Sequence, residues 1–178
     1  MATIRNFYLQ RMGVDSYNNP YPVNESVAMW KMYCKEIPFK IIEKVKAPAK
    51  RTWYDEHGDD EYISSEGLYA EAYTMKVEFG CKSQDIYTGT TLIRTAQEEV
   101  KRCTKNFLTF LREAGMMKMY STYTGIGRQY VRLDSVNDNA TWKQGDDGYW
   151  FLIFEVTFKV NDPVTDVTLG PSQSSSSN

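Results

Sequence analysis

The densest group of residues able to carry chemistry is DEHGDDE, residues 55–61, which holds the single histidine of the chain, His57, among five carboxylates. Nucleophilic or acid–base catalysis built on histidine needs a base, a partner within hydrogen-bond reach and a third group to orient them. One histidine in a polar, turn-rich stretch offers no such set, and it reads as a solvated loop side chain. Asp55, Asp59, Asp60 and Glu61 carry the hard oxygen ligands that suit a divalent cation. Their run lacks the alternating ligand spacing of a calcium loop. Cys34, Cys81 and Cys103 show no CxxC spacing and read as reduced, structural thiols of a cytosolic chain. The GIG at 125–127 lacks the third glycine of a dinucleotide loop and reads as a turn. The Asn24 and Asn139 triplets match a glycosylation signal that has no meaning in a cytosolic protein. The sequence therefore assigns no catalytic, cofactor-binding or metal-ligating residue, and the expectation is a protein that is not an enzyme.

Aromatic side chains are the unusual feature: 13 Tyr, 8 Phe and 4 Trp make up 14% of the residues. Such a content suits β-sheets and protein interfaces alike. Two polar stretches carry aromatics beside carboxylates or turn residues. The first, 48–67, contains Trp53, Tyr54, Asp55, Asp59, Asp60 and Tyr62; the second, 137–148, contains Trp142 and is followed by Tyr149. These eight residues are the candidate interface. With 21 basic and 23 acidic residues the formal charge is −2, which gives no electrostatic footprint for nucleic acid or an anionic membrane. No charged-then-apolar leader opens the chain, and no apolar run approaches the roughly 20 residues of a membrane span, so a soluble, unsecreted protein is expected.

The elements that must position these residues follow from hydrophobic period. Ile93, Ala96, Val100, Cys103, Phe107, Leu111 and Ala114 recur at steps of three and four, which predicts one amphipathic helix over about 91–114. Thr90 or Thr91 would cap it, Thr95 with Glu98 offers a second capping-box start, and Gly115 suits the C-terminal turn. Period-two patterns predict strands at 6–10, 37–47, 69–79, 116–122, 129–136 and 149–160. The 27–34 piece reads as a strand or, almost equally, a short helix. The 149–160 strand, YWFLIFEVTFKV, is apolar on one face throughout and on the other for half its length, which predicts a central position covered on both sides there. A short Ser-Gln-Asp loop is expected to lead into the helix, and the polar stretch at 48–67 is read as a long hairpin or arm. The predicted class is α+β and β-rich: an antiparallel β-sandwich or barrel-like sheets, one long packed helix and a polar hairpin arm. One domain spans 1–163, and a Ser-rich C-terminal tail occupies 164–178.

The order of these pieces resembles a viral module. FYLQRMGVDS, a strand with basic residues, a polar arm, an aromatic strand ending in MKVEFGCKS, a long helix ending in FLREAG, GRQYVRLDSV and IFEVTFKVNDP follow one another over about residues 3–163. In this they are similar to the N-terminal ring domain of distal tail proteins of long-tailed bacteriophages, a domain related in fold to tail tube proteins. The resemblance implies a virion protein, made in the host cytoplasm and located in the tail. Six copies would form a ring that continues the tail tube and joins it to the tip or baseplate hub, with DNA only as cargo in the lumen. Its partners would be copies of itself and the adjacent tube and hub proteins, with no cofactor and no membrane. Many members carry a carbohydrate-binding-like domain after the ring domain, whereas here a Ser-rich stretch follows residue 163. Tail terminators and head-to-tail connectors, which also combine a sheet, a helix and six-fold assembly, form the neighbouring reading. A monomeric β-sandwich that captures a sugar on Trp53, Trp142 and Tyr149 is the reading from another class.

Overall fold

Alternating side chains dominate this chain, and the computed structural model, which describes residues 6–55 and 57–171, is accordingly built on strands. In chain order they are β1 (Phe7–Arg11), β2 (Val23–Glu25), helix α1 (Ser26–Trp30), β3 (Met32–Cys34), β4 (Ala49–Thr52), β5 (Asp59–Tyr62) and β6 (Tyr73–Ser83). There follow β7 (Ile86–Thr88), β8 (Thr91–Arg94), helix α2 (Ala96–Ala114), β9 (Met116–Ser121), β10 (Ile126–Val136), β11 (Thr141–Gln144) and β12 (Trp150–Val160). Eight strands form one antiparallel sheet in the order β2-β1-β9-β10-β12-β6-β3, with β11 also paired to β12. The sheet curls into a half-barrel, so the fold is α+β and β-rich, of the barrel-like rather than the two-sheet form. β4–β5 and β7–β8 are separate two-stranded sheets.

β12 is central, as its pattern predicts. β6 lines one edge over its full length, while β11 pairs with residues 150–153 and β10 with residues 156–160. Leu152, Phe154, Val156, Phe158 and Val160 are buried on the face towards α2. The other face is not covered: Phe151 and Ile153 stay half-buried above a shallow hollow of about 270 Å³ that Tyr33 and Gly80 also line. Further along, Thr74, Lys76 and Glu78 of β6 are exposed on that open face, where Lys76 pairs with Glu155 at 3.3 Å.

α2 lies across the other face. Val100, Cys103, Phe107, Leu111 and Ala114 are buried, the stripe its sequence predicts. Phe107 stands edge-on to Phe79 with ring centroids 5.2 Å apart, and it also meets Phe7 and Trp30. The helix begins at Ala96 rather than near 91, because residues 91–94 are taken by β8. A two-residue turn whose first residue, Gly89, adopts φ 61° folds β8 onto β7. Thr95 is the cap: its side chain accepts from the Glu98 N–H, and the Glu98 carboxylate accepts from the Thr95 N–H. Asp85 accepts a further bond from the Ala96 N–H at 2.7 Å. Ile93 extends the helical period by one step and is exposed on the hairpin instead. The short linker expected before the helix is thus itself a hairpin.

Three other expectations change. Residues 37–47 are not a strand; they make one isolated bridge, from Val45 to Ala70, and the Lys40 N–H donates to the Tyr73 hydroxyl at 3.1 Å. Ile37 and Phe39 enter the core, and Pro38 between them has no N–H to offer a ladder. The polar stretch at 137–148 contains β11, and β2 lies between the strand predicted at 6–10 and the 27–34 piece, where the sequence predicts no element. Of the predicted tail, residues 166–169 pack back onto the domain: Asp166 bridges Arg128, Val167 donates to the Gly127 carbonyl at 3.2 Å, and Leu169 is buried. A Cβ at Gly127 would lie 2.0 Å from the Val167 carbonyl oxygen, so this strap requires glycine there. The Ser-rich remainder from 172 lies outside the described residues.

Candidate interaction surface

The β4–β5 hairpin forms where the sequence predicts an arm, and every residue of its two strands is exposed. With almost nothing to bury, polar contacts hold its register. Asp59 accepts from Lys50 Nζ at 2.8 Å and from Thr52 Oγ1 at 2.6 Å, which pushes its carboxyl below the usual carboxylate range. Trp53 Nε1 donates to Asp60 at 3.0 Å, and the Arg51 guanidinium lies over the indole, 3.6 Å from its centroid. These contacts preset the rotamers of Trp53, Asp59 and Asp60. Tyr54 is 100% and Tyr62 75% exposed, and Asp55 is exposed beside them. Over 48–67 six carboxylates stand against two cations, a formal charge of −4 with His57 neutral.

Sequence reasoning missed the apolar residues at the base of this hairpin. Ile41 is 74% and Ile42 88% exposed, and Val45, Ile63, Leu68 and Tyr69 are more than half exposed. Single exposed apolar side chains are ordinary, but this concentration in one stretch of chain is not. The signal was present in KIIEK, where adjacent isoleucines break a period of two. Reading 37–47 as a strand places Phe39, Ile41 and Val45 together on one face, with Glu43 among them.

Trp142 and Tyr149 belong to a second place. β11 and β12 set Trp142 against Trp150, ring centroids 6.2 Å apart, while Lys82 Nζ lies 3.9 Å over the Tyr149 ring. No hydrogen bond, ion pair or ring contact joins this pair to the β4–β5 hairpin among the described residues. The eight candidate residues thus lie in two places, one for each of the two polar stretches that carry them.

The buried charges serve the scaffold. Glu99, 1% exposed, accepts from Arg102 Nε at 3.0 Å and Nη2 at 2.6 Å, and from Arg94 Nη1 at 2.5 Å. Lys31 Nζ lies 3.2 Å away. Arg102 first, then Arg94 and Lys31, hold the Glu99 carboxyl far below the carboxylate range against the opposing effect of burial. The cluster ties β8 and the end of α1 to the first turn of α2. Arg128, also buried, donates from Nη1 to Asp166 and from Nη2 to the Lys40 carbonyl at 3.1 Å, tying β10 to the 166–169 strap and to the segment after β3. The Cys81 thiol is pushed up by its contact with Cys103 and by burial, which disfavours its reactive thiolate form.

Among the described residues no three His, Cys, Asp or Glu side chains gather as metal ligands, and no helix is long and apolar enough to cross a membrane. No protein-family model matches the chain, and no curated protein or solved structure matches it significantly.

Proposed function

We propose that this protein is a structural, non-enzymatic component of a bacteriophage tail, forming a closed six-membered ring that continues the tail tube and joins it to the tip or baseplate hub. The observation that carries this reading is the pairing of a curled antiparallel sheet, backed on one face by a single long helix, with a separate exposed hairpin. That is the set of elements implied by the resemblance to distal tail ring domains. A closed ring needs two unlike adhesive regions on each subunit, because one surface of a copy meets a different surface of the next. The β4–β5 hairpin, with the exposed isoleucines at its base, is a candidate for one. The near-neutral chain suits a lumen through which DNA passes, since a strongly basic wall would hold phosphates along its length.

Sedimentation of the purified protein together with electron-microscope images tests this reading. A particle of six-subunit mass with an axial channel is expected, located at the tail tip in virions. The same ring found at the head-proximal end assigns the terminator or connector role instead. A monomer at every concentration that binds a glycan overturns the ring and leaves a sugar-binding module.

A further inference from the structure

α2 carries a groove that the core does not fill. Leu108, Leu152 of β12 and Val136 of β10 form its apolar floor, Lys101, Lys105 and Arg112 its rim, and its volume is about 430 Å³. Lys101, Lys105, Leu108 and Arg112 follow at steps of four, three and four, so they share one side of the helix. Lys101 and Lys105 form no ion pair among the described residues.

The hairpin is the complement of this groove in both charge and polarity. It presents two fully or mostly exposed tyrosines, Tyr54 and Tyr62, amid carboxylates, and the side chains of Asp55 and Glu61 make no hydrogen bond or ion pair among the described residues. An aromatic side chain buries roughly 150–250 Å², and one end of tyrosine tolerates a polar rim. We infer that the β4–β5 hairpin of one copy docks into the α2 groove of the next, with an aromatic anchor on Leu108, Val136 and Leu152 and its carboxylates against Lys101, Lys105 and Arg112. The contact is head-to-tail, since hairpin and groove are different surfaces, and it propagates around a ring. This inference rests on the ring reading and names the surfaces that meet in it. Opposite charges at the rim fix orientation and suppress wrong pairings, while the desolvated aromatic supplies adhesion.

A charge swap in the full chain tests it. Variant one carries Lys101→Glu and Lys105→Glu; variant two carries Asp55→Lys and Glu61→Lys. All four positions are exposed, so both variants should melt at the temperature of the wild type. Each alone opposes like charges, and its apparent dissociation constant in sedimentation should rise about tenfold or more. Mixed in equal amounts, they restore opposite charges at every contact, and an alternating ring of even subunit number should re-form. Wild-type assembly by either variant alone, or failure of the mixture to recover, overturns this docking and leaves the ring standing on another interface. A wild type that stays monomeric at all concentrations overturns both.

Discussion

Glu99 shows how one side chain couples three pieces of this chain. Two arginines and a lysine from β8, α2 and the end of α1 converge on its carboxylate. All three cations are partly exposed and can turn to water, so the cost of Glu99→Gln should fall below the ~3–5 kcal/mol of a broken, fully buried pair. About 1.5–3 kcal/mol, the range for hydrogen bonds to a charged group, is expected. The pH dependence has a defined sign. The folded-state pKa lies below the ordinary 4.5, so the stabilisation is fully present above that value and is lost as pH falls through the folded pKa. The gap in unfolding free energy between wild type and Glu99→Gln should therefore be constant near neutrality and close in strong acid. Denaturant melts from about pH 7 to about pH 2 read it directly. A gap that does not change with pH would assign Glu99 a packing role instead.

At the scale of the element, α2 links the core to the helix's exposed groove. It meets the aromatic cluster of Phe7, Phe79, Phe154 and Trp30 through Phe107, while the half-buried Phe110 adds a second ring against Trp30, centroids 4.9 Å apart. Phe107→Ala removes that ring from a fully buried site and should cost on the order of 3–5 kcal/mol. A loss under about 1 kcal/mol in a denaturant melt would mean that α2 is not the element that closes the core. The helix's start is decided by chemistry rather than by period: Thr95, Glu98 and Asp85 satisfy N–H groups that no intrahelical carbonyl can reach.

At the scale of the molecule, the hairpin and the sheet are separable. β4 and β5 pair only with each other and contribute no residue to the hydrophobic core. Replacing residues 55–61 by a short Gly-Ser linker should therefore leave thermal stability nearly unchanged while abolishing ring formation. Calorimetry and sedimentation of that variant separate the two effects. Unfolding on deletion would make the hairpin part of the domain's stability and count against an assembly arm.

The sequence alone determined the strand-rich class, the stripe from Val100 to Ala114, the central place of β12 and the existence of the polar hairpin, because each is written in a local period or in turn chemistry. It also marked Trp53, Tyr54 and Tyr62 as exposed residues of that hairpin. Tertiary structure alone decided the path of residues 37–47 and the return of residues 166–169 to β10. Periodicity records which side chains alternate, not whether a neighbouring strand is free to pair: Ile41 lies outside any strand, and Val45 makes only the single bridge to Ala70. The Glu99 cluster was equally hidden: Lys31, Arg94 and Arg102 read as ordinary surface cations until folding brings Lys31, 68 positions from Glu99 in the chain, to the same buried carboxylate.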